Sequence, residues 1–114
     1  MEQFKEIIDA YLLNYSKFQK GKNQFDCDFG ELIFYKSNSK KLILYGIYIF
    51  PEYREKGLCR YILEYLIDNC PQQFDSVCVE SVISKILFEY LLRFTYKNKQ
   101  FKNTKSGFVY KIKN

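Results

Sequence analysis

Residues 46–66 run GIYIFPEYREKGLCRYILEYL. A β-rich apolar run reaches Pro51, a polar loop carries Arg54, Lys56 and Gly57, and Leu58 opens a second apolar run with helical spacing. The first turn of a helix leaves backbone N–H groups unpaired and carries partial positive charge. A glycine at that point lets a ligand approach the main chain. Together these features make a cradle for a pyrophosphate. Arginine is scarce in this lysine-rich chain, and two of its three copies, Arg54 and Arg60, bracket the loop. A guanidinium presents a planar fork suited to phosphate oxygens. The plainer alternative is a solvated basic loop in front of a helix.

The 114 residues contain no histidine. Ser-His-Asp hydrolases, Cys-His proteases, HExxH metalloproteases and His-ligated haem are thereby excluded. Carboxylates, tyrosines, cysteines, backbone amides or a bound cosubstrate must do any chemistry. The composition is 47% hydrophobic and 27% charged, which fits one globular domain spanning 1–114. No apolar run is long enough to span a bilayer, and charges at Glu2, Lys5, Glu6 and Asp9 argue against a signal peptide. Cys27, Cys59, Cys70 and Cys78 form no CxxC pair, so they read as reduced thiols of a cytoplasmic protein, with no metal site. The net charge of +5 is uneven: residues 90–114 hold seven cations and no acid. That tail suits either a solvated lysine-rich hairpin or a nucleic-acid-binding surface using Tyr96, Phe101, Phe108 and Tyr110.

The elements that must position the loop follow from periodicity. Apolar residues at Phe4, Ile7/Ile8, Tyr11/Leu12, Tyr15 and Phe18 predict a helix over 2–20. Phe25–Lys36, interrupted by Gly30, and Lys41–Phe50 predict a hairpin about Ser37–Lys40. Leu58–Cys70 predicts a helix apolar nearly all round, Asp75–Ser81 a strand, Val82–Phe94 a helix, and Tyr96–Lys102 with Phe108–Ile112 a closing hairpin. The order describes an α/β chain, an α+β mixed sheet with helices on both faces.

The loop and its flanks resemble motif A of the GCN5-related N-acetyltransferases, in which a strand ends in a V-x-P type element followed by Q/R-x-x-G-x-G/A and a helix. Here Ile49-Phe50-Pro51-Glu52-Tyr53 leads into Arg54-Glu55-Lys56-Gly57-Leu58-Cys59. Cys59 stands where the family has glycine or alanine. The likeness extends over about residues 25–113, and motif A is its specific part. It implies a GNAT-like acyl-CoA N-acyltransferase fold in a short form with one N-terminal helix. It also implies transfer of acetyl from acetyl-CoA to a primary amine by direct attack in a ternary complex.

The resemblance further implies site residues. Backbone groups of Ile47, Tyr48 and Ile49 would hold pantetheine. Amides of Glu55, Lys56, Gly57, Leu58, Cys59 and Arg60, with Arg54, would hold the pyrophosphate. Ser84 takes the asparagine position of the following helix. Leu91 falls where many relatives carry the tyrosine that protonates the departing thiolate, one residue from Tyr90, which becomes the candidate acid. Glu80, ending the strand after motif A, is the first candidate base, with Glu31 and Asp28 next. Tyr45 and Tyr48 are candidates for the acceptor pocket. Each residue also has a structural reading: helix-start carboxylate for Glu80, packing for Tyr90, a tolerated small residue rather than a reactive thiol for Cys59. The expected protein is a cytoplasmic monomer or homodimer without membrane contact. The alternatives are a CoA-binding or protein-interaction module without catalysis, or a basic nucleic-acid-binding domain.

Overall fold

The computed structural model describes residues 2–113. Helix α1 (Glu2–Leu13) buries Phe4, Ile8 and Tyr11, as the spacing predicts, but it stops seven residues before Lys20. The Asn14 amide donates to the Ala10 carbonyl (3.0 Å), and Tyr15–Lys17 tightens into a 3₁₀ turn. The apolar spacing persists past the helix because the Tyr15 and Phe18 rings pack on Tyr11, with centroids 5.4 and 5.1 Å away. The Lys36 ammonium donates to the carbonyls of Tyr15 (2.7 Å) and Phe18 (2.8 Å), satisfying acceptors that a longer helix would have paired.

Strands β1 (Gly21–Cys27), β2 (Gly30–Lys36) and β3 (Lys41–Ile49) form an antiparallel meander. Sequence predicts one strand over Phe25–Lys36; the chain instead turns through Asp28-Phe29, with Cys27 opposite Gly30. In β1, exposed Lys22, Gln24 and Asp26 alternate with half-buried neighbours. Such an edge strand has one wet face, and its polar half hides it from a search for apolar runs. Gly30 is required where it sits. A Cβ there would fall 1.9 Å from the Tyr48 carbonyl oxygen. Gly30→Ala should therefore cost about 2 kcal/mol or more, read as a lowered denaturant midpoint.

Helix α2 (Leu58–Asp68) crosses from β3 to the parallel strand β4 (Ser76–Glu80). Helix α3 (Lys85–Arg93) follows. The tail is more divided than its apolar pattern suggests. A small β5–β6 hairpin (Thr95–Tyr96, Lys99–Gln100) turns at Lys97 and Asn98, both at positive φ, before β7 (Lys102–Asn103) and β8 (Gly107–Lys111) close the main sheet. Strand order is β1-β2-β3-β4-β8-β7.

Alternation assigns the faces. Leu32 and Phe34, Leu42 and Leu44, Val77 and Val79, and Phe108 and Tyr110 point to one side and form a single core with residues of all three helices. Tyr11 stacks on Phe34 at 4.2 Å, and Phe88 meets Phe108 edge-on at 5.1 Å. The expected helices on both faces are thus corrected: α1, α2 and α3 share one face. The near all-round apolar character of α2 has a different cause from burial between two layers. It lies between the other two helices and the sheet. The Tyr65 hydroxyl donates to Asp9 of α1 (2.5 Å), and Arg60 donates to the Thr95 carbonyl just past α3 (2.9 Å). The other face carries Ile33, Tyr35, Ile43, Tyr45, Cys78 and Val109, none of them in that core, and no helix among the described residues covers it. The architecture is a mixed α+β fold, three helices on one side of a mixed sheet.

Candidate functional site: a groove where two parallel strands part

Strand β3 pairs with β4 only from Lys41–Leu44 against Ser76–Val79. Beyond that point β3 continues alone beside β2. Phe34 faces Leu44 while Ile33 faces Gly46, so Tyr45 is an extra residue in the ladder. A bulge bends its strand and increases the local twist. Here it lies where β3 leaves β4. On the other side β4 ends at Glu80, and Ser81 turns the chain at φ 58°. Ser84 then caps α3, its hydroxyl accepting the Leu87 N–H (3.2 Å). Between the parted strands lies a groove of about 580 Å³. Ile47 and Tyr48 form one wall, and Val79 and Glu80 the other; Ser84 and Leu87 close one end, while Glu31 and Tyr45 border the mouth on the helix-free face.

The loop after β3 leads into the start of α2. Pro51–Tyr53 makes a 3₁₀ turn, and Gly57 occupies the N-cap of the eleven-residue helix in the left-handed region (φ 77°, ψ 13°), with no side-chain cap. Glu55 is also left-handed, at φ 63°. Successive turns of this kind aim backbone N–H groups into a concavity that suits anions. A Cβ at Gly57 would meet no atom within 4 Å, so the space beside Gly57 is open. An uncapped helix start with open space beside it is what a diphosphate would need.

Both arginines are exposed and make contacts within the chain. Arg54 Nε donates to the Ile49 carbonyl (2.8 Å), and its guanidinium lies over the Tyr48 ring at 5.4 Å. Arg60 binds the Thr95 carbonyl, pairs with Glu64 (2.5 Å), and covers the Phe94 ring at 4.9 Å. Both cations find carbonyl and aromatic partners that only the folded chain brings near. Glu55 and Lys56 are exposed, whereas Leu58 is core. Burial pushes the Cys59 thiol up to about 11, which outweighs the acidifying effect of a helix start. It is a protonated packing residue at neutral pH.

Of the residues singled out by sequence, the groove gathers Glu31, Tyr45, Ile47, Tyr48, Glu80 and Ser84. Ile49 lies past them and gives its carbonyl to Arg54. Tyr90 is not among the lining residues. It packs toward Phe94 with ring centroids 6.0 Å apart, and burial raises its pKa, with Cys59 adding to the rise and the nearby Arg60 guanidinium opposing it. Leu91 is fully buried, so Tyr90 is the only hydroxyl that α3 carries in that turn. Sequence reading missed Lys22, Ile33 and the Ser81–Ile83 turn as groove residues. Gly46 inside a strand is the signal that could have marked the bulge. The tail aromatics are placed otherwise than base stacking needs. Phe101, Phe108 and Tyr110 are core residues, and the Tyr96 hydroxyl donates to Asp68 (2.7 Å).

Among the described residues there is no metal-ligating cluster, and no helix is long and apolar enough to cross a membrane. No family model, no curated protein and no solved structure matches the chain.

Proposed function

We propose that this protein is an acetyl-CoA-dependent N-acetyltransferase of the GCN5-related kind, acting on a primary amine by direct attack. One observation carries the reading: a parallel strand pair parts at a bulge, and the strand that leaves it runs into a helix whose start is open and uncapped. Acetyl-CoA would supply the activated acyl group. Amides of Gly57–Arg60, with the exposed Lys56 ammonium, would hold its diphosphate. The β3 backbone beyond Leu44 has no β4 partner, so its edge is available to pantetheine amides as a strand edge is to a peptide. Ile47 and Val79 offer apolar walls, and almost fully exposed Ile83 offers more at the rim.

Holding both reactants in one groove replaces a bimolecular encounter with a positioned one. Glu80, on the groove wall, would take a proton from the acceptor ammonium. The amine nitrogen then bonds to the acyl carbon as the carbon–sulfur bond breaks. Because Tyr90 lies off the groove, beside Cys59 and Arg60, the departing thiolate takes a proton from water, which in turn takes the second proton from the newly bonded nitrogen. Calorimetric titration with CoA, followed by thiol release from acetyl-CoA over a panel of primary amines, tests the proposal. Binding with turnover on an amine supports it. Binding without turnover on any amine makes the chain a CoA-binding module, and no binding overturns both.

A further inference from the structure

We infer that the helix-free face of the sheet binds single-stranded nucleic acid, along a surface that starts at the groove mouth, where it shares Lys22 and Tyr45 with the groove, and runs to the β7–β8 edge. Register maps that face into rows. One row reads Lys41, Ser76, Lys111 across β3, β4 and β8. The next runs from Lys22 through Tyr35, Ile43, Cys78 and Val109 to Lys102. The acids of this face, Asp26, Glu31 and Glu80, lie at the opposite end, beside the groove. Lys41, Lys102 and Lys111 are thus gathered away from the acids, while Lys22 reaches the groove that Glu31 and Glu80 also line. A second depression of about 270 Å³ sits at its β7–β8 edge, with Lys99, Lys102 and Lys111 around Val109. Among the described residues none of these lysines is ion-paired; the paired cations are Arg60, Lys97 and Lys113. Unpaired lysines around an apolar floor fit a polyanion.

Two rings select the kind of polyanion. Tyr35 and Tyr45 lie side by side on this face, centroids 5.6 Å apart and tilted by 35°. The Lys22 ammonium rests 4.7 Å from the Tyr45 centroid, so that ring already accepts a group from the solvent side. A base stacks there while the lysines take phosphates, which is the arrangement of sequence-tolerant single-strand binding. A duplex offers no exposed base face, and an acidic peptide has no use for the rings. Six strands at about 4.8 Å spacing give a track of roughly 24 Å.

Fluorescence anisotropy of the full chain with labelled oligo-dT and oligo-U of about a dozen nucleotides tests this. Affinity should fall steeply between about 50 and about 200 mM salt. The variant Lys41→Gln/Lys102→Gln/Lys111→Gln, changed only at solvent-facing lysines, should lose roughly tenfold or more in affinity and flatten the log–log salt slope by about 2. Tyr35→Leu/Tyr45→Leu should lose roughly tenfold. Gly57→Glu, which changes the start of α2 and leaves this face of the sheet intact, should keep wild-type oligonucleotide affinity; this outcome separates the inference from the acetyltransferase reading. Absence of binding at low salt, wild-type affinity in the lysine variant, loss of binding in Gly57→Glu, or equal displacement by polyglutamate of matched charge would each overturn it.

Discussion

Gly57→Glu should abolish CoA binding while leaving the protein folded. The position tolerates the side chain sterically, since a Cβ there meets nothing within 4 Å. The left-handed backbone (φ 77°) costs a non-glycine residue about 1–2 kcal/mol, which lowers stability without unfolding a domain of this size. The new carboxylate sits in front of the α2 amides and does two things. It takes up space that the diphosphate needs, and it sets like charge against the ligand. One pair of unit charges about 4 Å apart at an effective dielectric near 20 repel by about 4 kcal/mol, close to three decades in affinity. Gly57→Ala carries the same backbone strain without charge and separates the two effects. It should bind CoA within a few-fold of wild type and melt as Gly57→Glu does. Titration calorimetry and thermal unfolding of the pair decide the matter. Equal affinity in wild type and Gly57→Glu would remove the loop from the binding site.

The reason this prediction was accessible from sequence is that every part of it is local. Pro51, the polar loop, Gly57 and the apolar run after Leu58 lie within a few residues of one another, and helix starts obey local rules. What sequence did not reveal depends on pairing between distant segments. The contacts of Arg54 and Arg60 are set by Ile49, Tyr48, Thr95 and Phe94, which spacing along the loop does not show. The bulge at Tyr45 is a register fact between β2 and β3; only Gly46 hints at it. The face of the sheet taken by each helix is likewise a long-range choice. α2 reads as buried on several sides in either arrangement, because two flanking helices cover it as well as a second layer would. The alternation of β1 was legible in principle through Lys22, Gln24 and Asp26, yet polar strands carry a weak signal. Tyr90 shows the limit most plainly. A hydroxyl one residue from an expected position is placed by helix rotation, which sequence distance does not settle.

Glu80→Gln should separate binding from chemistry. Glu80 ends β4 opposite Gly107 and borders the groove on the outward face, half-exposed, with no ion pair among the described residues. Its amide replacement has the same shape, so the fold and CoA affinity should be unchanged. A positioned general base contributes about 10²–10⁴-fold, and the variant should lose about that much in kcat on whichever amine turns over. The pH profile adds a readout that packing would not move. An acceptor amine must be deprotonated to attack, so wild type holds its rate toward lower pH through the carboxylate, while Glu80→Gln should regain activity only as pH rises toward the pKa of the free amine. Glu31→Gln is the matched control, because the second carboxylate lies at the mouth of the same groove. If Glu31 guides the cationic acceptor instead of taking its proton, this variant raises KM and leaves kcat and the pH profile alone. Should the two variants exchange these phenotypes, the base is Glu31 and the acceptor enters with its nitrogen nearer β2. Should neither change kcat, the acceptor amine is deprotonated by solvent before it binds, and the groove contributes position alone.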